Sequence, residues 1–393
     1  MSTSESAIEL HCRRTAAVAV EVGMRAGVDL AAVRRAALLH HAMPGPVPGG
    51  CAGGGIGARG GGGLGRLAWE VVCGEQARDI HGIVQISNLL DEQLEALEFE
   101  YRDMDDILDE IQSFAYFEGF DAALVDHLRA MRCRDFAGHL KLPVEAGSAH
   151  RVLRTLRADP DTSIQALEKI ALSDPVLTGC LLGVANSALY GRAYRVGTVR
   201  RAIASIGLIA ARRVMLAAAM KPVFAGPGMK RLWTHSVSSA PLTAALAETT
   251  GLLNGEEGLL LGLMHDIGSV ALQFLPRETL ACYRRLMESG CPQTYVEHLL
   301  LAQDHGEVGA ELLVQWNFPE AFVEAVRFHH QPERSASSVA AMAYLAEFWS
   351  GTDEDMHSFG RVEVCLSRTG MTQEDLIELR TQDAALHALR GVA

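Results

Sequence analysis

The chain has 393 residues, of which 49% are hydrophobic and 21% are charged, and it carries a net charge of −13 at pH 7. This length accommodates two domains of ordinary size, and the composition is typical of a folded globular protein. Because this charge repels a phosphate backbone, direct binding to nucleic acid is not expected. No apolar run reaches the roughly 18 residues of a membrane-spanning helix, so we expect no membrane span.

The N terminus and the cysteines indicate a cellular compartment. The start of the chain, Met1 to Ser6, has neither the basic region nor the following apolar region of a secretory signal. The eight cysteines are scattered and include no C-x-x-C pair, which favours reduced thiols. We therefore expect a cytoplasmic protein.

Helical periodicity dominates the chain, whereas the alternating pattern of strands is nearly absent, which predicts an all-α fold. A first domain is predicted at residues 1–140. In it, His11 precedes one helical run, and a second run, Ala31 to His41, ends in two histidines. Between Met43 and Leu67 the chain is so rich in glycine and proline that a loop is predicted.

A second domain is predicted at residues 141–350, since Leu142 and Pro143 stop a helix and a new helical pattern follows. Residues 351–393 are predicted to form a C-terminal helical extension. In this extension Thr372 begins a helix with acidic residues in its first turn, where they face the positive end of the helix dipole.

The two domains share a spacing of histidines. His11 and His40 are 29 positions apart, His235 and His265 are 30 positions apart, and each second histidine ends an apolar helix. This repeat indicates two copies of one helical core. The alternative is coincidence, because a helix, a loop and a helix of average length cover the same distance.

Side chains that bind metals recur at intervals through the second domain. Imidazole and carboxylate groups are the usual ligands of borderline metals, so the set is either a metal site or the remnant of one. Taken singly, each histidine is more often structural, for example at a helix end or in a turn. The candidate ligands are His235, His265, Asp266, His305, His329, His330 and Glu347.

Sequence motifs from about Leu142 to Phe348 resemble the HDOD family, a bacterial signalling relative of the HD phosphohydrolases. The resemblance implies a helical HD-like fold, and family members usually act as regulatory modules with no agreed activity. The motifs are Asp174-Pro-x-Leu, Asn186-Ser, Tyr190-Gly, Ala202-Ile, Ile206-Gly, Trp233-x-His, Gly262-Leu-x-His-Asp-Ile-Gly, His305-x-x-x-Gly, Trp316-x-x-Pro and His329-His.

The order of the candidate ligands is also similar to that of the HD-GYP phosphodiesterases, which cleave cyclic di-GMP at a centre of two or three metal ions. Glu347 lies where the final aspartate of that family would fall. Three departures weigh against catalysis: Ser269 replaces a lysine, Gln331 replaces a glutamate, and the G-Y-P segment is missing. Loss of one contact that stabilises the transition-state charge costs about 10²–10³ in rate.

The first domain resembles a degenerate HD domain. His11 and His40 match the first two ligand positions, but His41 replaces the aspartate, and Asn88 stands where a second aspartate is expected. A site that lacks both carboxylates is poorly suited to two cations. We therefore expect two helical HD-like domains in tandem, the first of which is a scaffold.

The resemblance implies a cytoplasmic bacterial signal-transduction protein that acts through its HDOD domain by binding a partner signalling protein or a nucleotide ligand. No catalytic residue is assigned. The metal that such a ligand set would bind is iron, manganese or zinc. The alternative is a metal-dependent phosphohydrolase that acts on cyclic di-GMP or another nucleotide. A third interpretation is a sensor that uses one redox-active metal ion.

Overall fold

The fold is known from a computed structural model, which describes residues 7–40, 76–96, 103–133, 136, 163–173, 175–187, 196–224, 226, 228–316, 318–350 and 359–381. Within these ranges all regular secondary structure is helical, which confirms the all-α prediction. The predicted loop from Met43 to Leu67, the domain boundary near residue 140 and His41 lie outside the described residues.

The chain divides into two compact units. The first unit comprises residues 1–138 and 275–304, and the second comprises residues 139–274 and 305–393. Residues 275–304 therefore pack with the N-terminal helices, although they lie far from them along the chain. The division into domains at residues 140 and 350 stays a prediction.

The first unit is a group of helices around an aliphatic core. Val18 and Val22 of the first helix and Ile83, Ile86 and Leu90 of the third are fully buried. The helices are α1 (Ala7–Ala26), α2 (Leu30–Leu39), α3 (Ala77–Ala96), α4 (Met104–Glu118), α5 (Ala123–Met131), α13 (Arg277–Glu288) and α14 (Gln293–Leu301).

The second unit contains the other helices, and its core is continuous from Leu167 to Leu376. Its helices are α6 (Ile164–Leu172), α7 (Pro175–Ala185), α8 (Val199–Ile206), α9 (Leu208–Met220), α10 (Lys230–Thr250), α11 (Gly255–Met264), α12 (Ile267–Ala271), α15 (His305–Gln315), α16 (Glu320–Arg327), α17 (Ser338–Ser350), α18 (Phe359–Thr369) and α19 (Gln373–Thr381).

Close approach of α10 and α11 depends on small residues. A Cβ atom added to Gly262 would lie 2.5 Å from the Cα of Ala240, and one added to Gly258 would lie 2.7 Å from the carbonyl oxygen of Thr243. Since real Cβ atoms do not approach other atoms so closely, larger residues would push the helices apart. This contact sets the N-terminal part of α10 beside the C-terminal end of α11.

A second close contact joins α12 to α15. A Cβ atom added to Gly268 would lie 1.9 Å from the carbonyl oxygen of His305 and 2.7 Å from the backbone nitrogen of Gly309. Only glycine permits this distance. The start of α15 is thereby held against the turn that follows α11.

Among the described residues, no single helix combines the length and the apolar composition of a membrane span. Helix α8 and the segment Leu208–Phe224 meet both criteria only when taken together, and they are bent by 116° at their junction.

Candidate metal centre

The structure brings all seven candidate ligands of the second unit into one buried group, here called the Asp266 cluster. The helix ends described above carry three of them: His265 caps the C terminus of α11, Asp266 begins the turn into α12, and His305 is the first residue of α15. The members are His235, His265, Asp266, His305, His329, His330 and Glu347.

One carboxylate oxygen of Asp266 faces one half of the cluster. Its Oδ2 atom lies 3.3 Å from Nε2 of His235 and 3.4 Å from Nε2 of His265. These two Nε2 atoms are 2.9 Å apart, and each is 3.1 Å from Oε2 of Glu347. Four donor atoms from four residues therefore converge on one side of Asp266.

The other oxygen of Asp266 faces the remaining histidines. Its Oδ1 atom lies 3.2 Å from Nε2 of His305 and 3.4 Å from Nε2 of His329. The Nε2 atom of His330 lies 2.8 Å from that of His305. Asp266 with His305, His329 and His330 satisfies the spacing of a metal-binding group, and so does Asp266 with His235 and His265.

These separations are those of neighbouring ligands around one cation. Bonds of roughly 2.0–2.2 Å to zinc or a similar ion place adjacent ligand atoms about 3.0 Å apart in an octahedron and about 3.4 Å apart in a tetrahedron. The donor-atom separations given above run from 2.8 to 3.4 Å. The geometry therefore has room for one cation on each side of the Asp266 carboxylate.

Backbone carbonyl groups fix the orientation of two of the imidazole rings. Nδ1 of His265 donates to the carbonyl oxygen of Gly262 at 2.8 Å, and Nδ1 of His329 donates to that of Val326 at 2.6 Å. Because Nδ1 carries the proton, Nε2 of each neutral ring presents a lone pair to the cluster. Such outer contacts are usual for histidines that bind metals.

Two buried nitrogen atoms of the cluster have no hydrogen-bond partner among the described residues: Nε2 of His329 and Nδ1 of His235. Nε2 of His329 is 3.4 Å from Asp266, which is too long for a good hydrogen bond. An unsatisfied buried nitrogen is costly in a folded protein. A cation at the Oδ1 side of Asp266 would satisfy the lone pair of His329, so the ligand set fits a metal.

Charges within the cluster keep its carboxylates ionised. Burial opposes ionisation of Asp266, but the charge of His265 and the nearby imidazoles of His305 and His329 hold the pKa of Asp266 well below its usual value. Burial likewise opposes ionisation of Glu347, and hydrogen bonds from His235 and His265 lower the pKa of Glu347 further than burial raises it. Two buried anions therefore face the imidazoles.

The pKa values of two histidines in the cluster, His265 and His330, are shifted in opposite directions. Burial lowers the pKa of His265, but the charge of Asp266 and contact with Glu347 outweigh burial and raise this pKa to about 9. The pKa of His330 is held well below its usual value by burial and by the charges of His329 and His305. Without metal, a proton on His265 therefore compensates part of the negative charge at neutral pH.

Sequence reasoning missed one arginine beside the cluster. Arg361 on α18 is buried, donates to Oε1 of Glu333 at 2.7 Å and contacts the carbonyl oxygen of His330 at 3.4 Å. It supports the backbone of a candidate ligand and is already paired with a carboxylate. No motif indicated this residue, because it lies 31 positions beyond His330.

The predicted histidine pair of the first unit also comes together. Nε2 of His11 is 3.2 Å from Nε2 of His40 and 2.9 Å from Oδ1 of Asn88. Asp91 and Arg14, which sequence reasoning did not assign to a site, join this group through hydrogen bonds to one another and to His11. The only sequence signal that could have assigned them to a site is their spacing. Arg14 is three positions after His11, and Asp91 is three positions after Asn88, so each pair lies on one helix face.

Comparison with known proteins identifies a family for the middle part of the chain. Residues 142–332 match the HDOD domain family. An uncharacterized protein of Treponema pallidum (strain Nichols) is 24% identical over 196 residues, which is 47% of this chain. The match covers 38% of the length of that relative.

Solved structures of similar fold come from several bacteria. An HDOD domain protein of unknown function from Geobacter sulfurreducens has a TM-score of 0.54 at 24% identity, covering 64% of this chain and 94% of its own. A protein of Shewanella amazonensis SB2B, provisionally named a phosphohydrolase, has a TM-score of 0.51 at 22% identity, with coverage of 66% and 97%.

A protein of Marinobacter aquaeolei VT8, provisionally named a signal transduction protein, has a TM-score of 0.53 at 22% identity, covering 66% of this chain and 61% of its own. At these identities the likeness shows a shared fold. Together with the family match, it confirms the resemblance that the motifs indicate: residues 142–332 of this chain form an HDOD domain.

Proposed function

We propose that the HDOD domain is a regulatory module that binds two divalent cations on opposite sides of Asp266. The first cation is held by His235, His265 and Glu347 with one oxygen of Asp266. The second is held by His305, His329 and His330 with the other oxygen. The observation that carries this proposal is the position of the Asp266 carboxylate, whose two oxygens each face a different group of imidazoles at 3.2–3.4 Å.

The chemistry of the ligands narrows the choice of metal. Imidazole suits iron and zinc, and carboxylate suits manganese, whereas the Asp266 cluster contains no thiolate. Two buried carboxylates favour cations over neutral ligands, because an uncompensated buried anion is costly. We therefore expect iron, manganese or zinc in this centre.

A binding role is favoured over hydrolysis by the side chains around the cluster. Phosphate ester cleavage requires groups that stabilise the charge of the transition state. In the described residues, Ser269 stands beside the cluster where a lysine would be expected, and the guanidinium groups of Arg361 and Arg334 are paired with Glu333 and Glu307. We propose that the domain acts in the cytoplasm by binding a partner signalling protein or a nucleotide ligand.

The second candidate function is metal-dependent hydrolysis of a phosphodiester such as cyclic di-GMP. The arrangement of two ligand groups about one carboxylate favours it, because a pair of bound cations supplies an activated water. The provisional name of the Shewanella relative agrees with this alternative. Turnover of a dinucleotide by the metal-loaded protein, lost in Asp266→Asn, would establish hydrolysis.

The test of metal binding is elemental analysis of protein purified without an affinity tag or chelator. We expect about two equivalents in the wild type and less than one in His265→Gln. The matched control is His40→Gln, since His40 has the same contacts in the first unit: Nδ1 bonded to a carbonyl three residues earlier and Nε2 facing a second histidine. The absence of metal after incubation with iron, manganese and zinc would overturn the proposal.

A further inference from the structure

The polar group of the first unit, here called the His11 cluster, repeats the geometry of one half of the Asp266 cluster. Nδ1 of His40 donates to the carbonyl oxygen of Ala37 at 2.6 Å, as Nδ1 of His265 donates to that of Gly262 at 2.8 Å. The two Nε2 atoms are 3.2 Å apart in the first pair and 2.9 Å apart in the second. The arrangement of the histidine pair is therefore the same in both units.

The two clusters differ in the third group that faces the histidines. Oδ1 of Asn88 lies 2.9 Å from Nε2 of His11, where Oε2 of Glu347 lies 3.1 Å from Nε2 of His235. The amide of Asn88 lacks the negative charge that Glu347 supplies in the second unit, and so it attracts a cation less. Its orientation is fixed, because Nδ2 of Asn88 donates to Oε1 of Glu92 at 2.9 Å and leaves Oδ1 as the acceptor.

The outer nitrogen of the first histidine also differs. Nδ1 of His11 donates to Oδ2 of Asp91 at 2.7 Å, whereas Nδ1 of His235 has no partner among the described residues. Arg14 donates to both oxygens of Asp91, at 2.8 and 2.9 Å. A fully buried carboxylate is thus shared between a guanidinium group and an imidazole ring.

Hydrogen-bond accounting fixes the protonation state of His11. Its Nδ1 faces a carboxylate, so Nδ1 must donate. Its Nε2 faces two acceptors, the amide oxygen of Asn88 and the lone pair of neutral His40, so Nε2 must donate as well. Only the imidazolium ion donates from both nitrogens.

We propose that the first unit holds a proton on Nε2 of His11 at the position where the second unit holds a metal ion, so that this cluster excludes metal and depends on pH for its stability. The positive charges of His11 and Arg14 face the carboxylate of Asp91. Within this cluster, the protonated imidazole of His11 and the guanidinium group of Arg14 provide the positive charge that a metal ion would otherwise provide. Duplication of the helical core has then produced one centre that is closed by side chains and one that is open to metal.

The direction of the pH dependence follows from the surroundings of His11. Burial lowers the pKa of His11, but the hydrogen bond and charge of Asp91 and the contact with Asn88 outweigh burial and raise this pKa above its ordinary 6.5. The stabilisation is therefore complete below pH 6.5, where the unfolded chain is also protonated. It is lost as the pH rises from 6.5 through the raised pKa of the folded state.

Other titratable groups near His11 keep one charge state over this range. On α1, burial raises the pKa of the Cys12 thiol. On α14 and just before it, burial raises the pKa of Cys291 to about 12 and that of Tyr295 well above its usual value. Burial lowers the pKa of His40, which stays neutral.

The carboxylate that faces His11 does not titrate in this range either. Hydrogen bonds from His11 and Arg14 outweigh burial and lower the pKa of Asp91. On the same helix, Glu92 accepts a hydrogen bond from the amide of Asn88. Arg14 stays charged, so His11 is the group whose titration changes stability.

The first test is hydrogen exchange of the α1 and α3 amides between pH 6 and 9, corrected for the intrinsic exchange rate. We expect wild-type protection to fall by up to about tenfold per pH unit above 6.5, until the pH exceeds the pKa of folded His11. In His11→Gln the fall should be absent. A flat wild-type profile, or the same fall in the variant, would overturn the proposal.

The second test is metal stoichiometry in the double variant His11→Gln/His40→Gln. The equivalents of zinc bound by the full chain should equal those of the wild type, and a loss of one equivalent would show that the His11 cluster binds metal. This outcome is separate from the proposed function. If the Asp266 cluster bound no metal, the pH dependence of exchange would still decide the role of His11.

Discussion

Asp266 is the residue on which the metal centre depends, because both of its carboxylate oxygens face imidazole nitrogens. We predict that Asp266→Asn lowers the metal content from about two equivalents to less than half of one, since the amide keeps the shape but loses the bridging charge. Elemental analysis measures the loss, and far-UV circular dichroism checks that the fold persists. Metal retention at the wild-type level would contradict this role.

His265 makes metal affinity depend on pH. Its pKa is raised to about 9 in the metal-free protein, so a proton must leave before Nε2 can bind a cation. We predict that the apparent affinity for zinc increases between pH 6 and 9, by up to tenfold per unit. Competition with a chromophoric chelator measures this dependence. An affinity that falls or stays constant over this range would show that His265 is not a ligand.

Residue types and order predicted much of this centre. All seven candidate ligands were named from the sequence, and the fold brings them together. Short motifs such as His265-Asp266 lie at helix ends, so the local sequence already indicates where these residues stand. Asp91 and Arg14 were not predicted as members of the His11 cluster, since the sequence indicates neither that Arg14 faces Asp91 nor that the pair closes the site. Arg14 and Asp91 are 77 positions apart in the chain, so their pairing depends on tertiary contact between two helices.

At the scale of elements, the contact between α10 and α11 places His235 beside His265. We predict that Gly262→Ala destabilises the protein by about 1–3 kcal/mol, because the added Cβ atom would lie 2.5 Å from the Cα of Ala240. Metal binding should weaken as well, since the helices that carry both histidines would separate. Urea unfolding and metal titration measure the two effects.

A matched control for this substitution is Gly179→Ala in α7. An added Cβ atom at Gly179 would meet nothing within 4 Å, and the position is exposed. There the substitution should stabilise the helix by about 0.5–1 kcal/mol, because alanine loses less backbone entropy than glycine. Equal effects at the two glycines would argue against close packing as the cause.

The sequence predicted an apolar helix that ends at His265, which is α11, but not its close contact with α10. Gly258 and Gly262 lie four positions apart within an apolar run, which periodicity interprets only as a buried helix. Their role as contact points appears only when the opposing backbone of Ala240 and Thr243 is known. Helix existence is a local property, whereas helix approach depends on both partners.

At the scale of the whole molecule, residues 275–304 pack with the first unit although they lie between two ligands of the second, Asp266 and His305. Within the first unit, buried Glu21 accepts hydrogen bonds from Arg285 at 2.6 and 2.8 Å. Sequence patterns did not predict this pairing, because 264 positions separate the partners. Short-range periodicity carries no information about it.

We predict that Glu21→Gln destabilises the first unit by about 1–3 kcal/mol, because a buried charge-assisted pair is lost. The lower end of this range applies, since Arg285 is 45% exposed and water screens its charge. Hydrogen exchange of α13 amides measures the effect, with Glu288→Gln at the end of the same helix as the control. Unchanged protection in Glu21→Gln would contradict a stabilising role for the pair.

The central claim is that the Asp266 cluster holds metal and the His11 cluster holds a proton. Anomalous X-ray diffraction from crystals of zinc-loaded protein, recorded at the zinc absorption edge, tests it most directly. We predict two peaks, one on each side of the Asp266 carboxylate, and none between His11 and His40. Absence of peaks at Asp266, or a peak beside His11, would contradict the account.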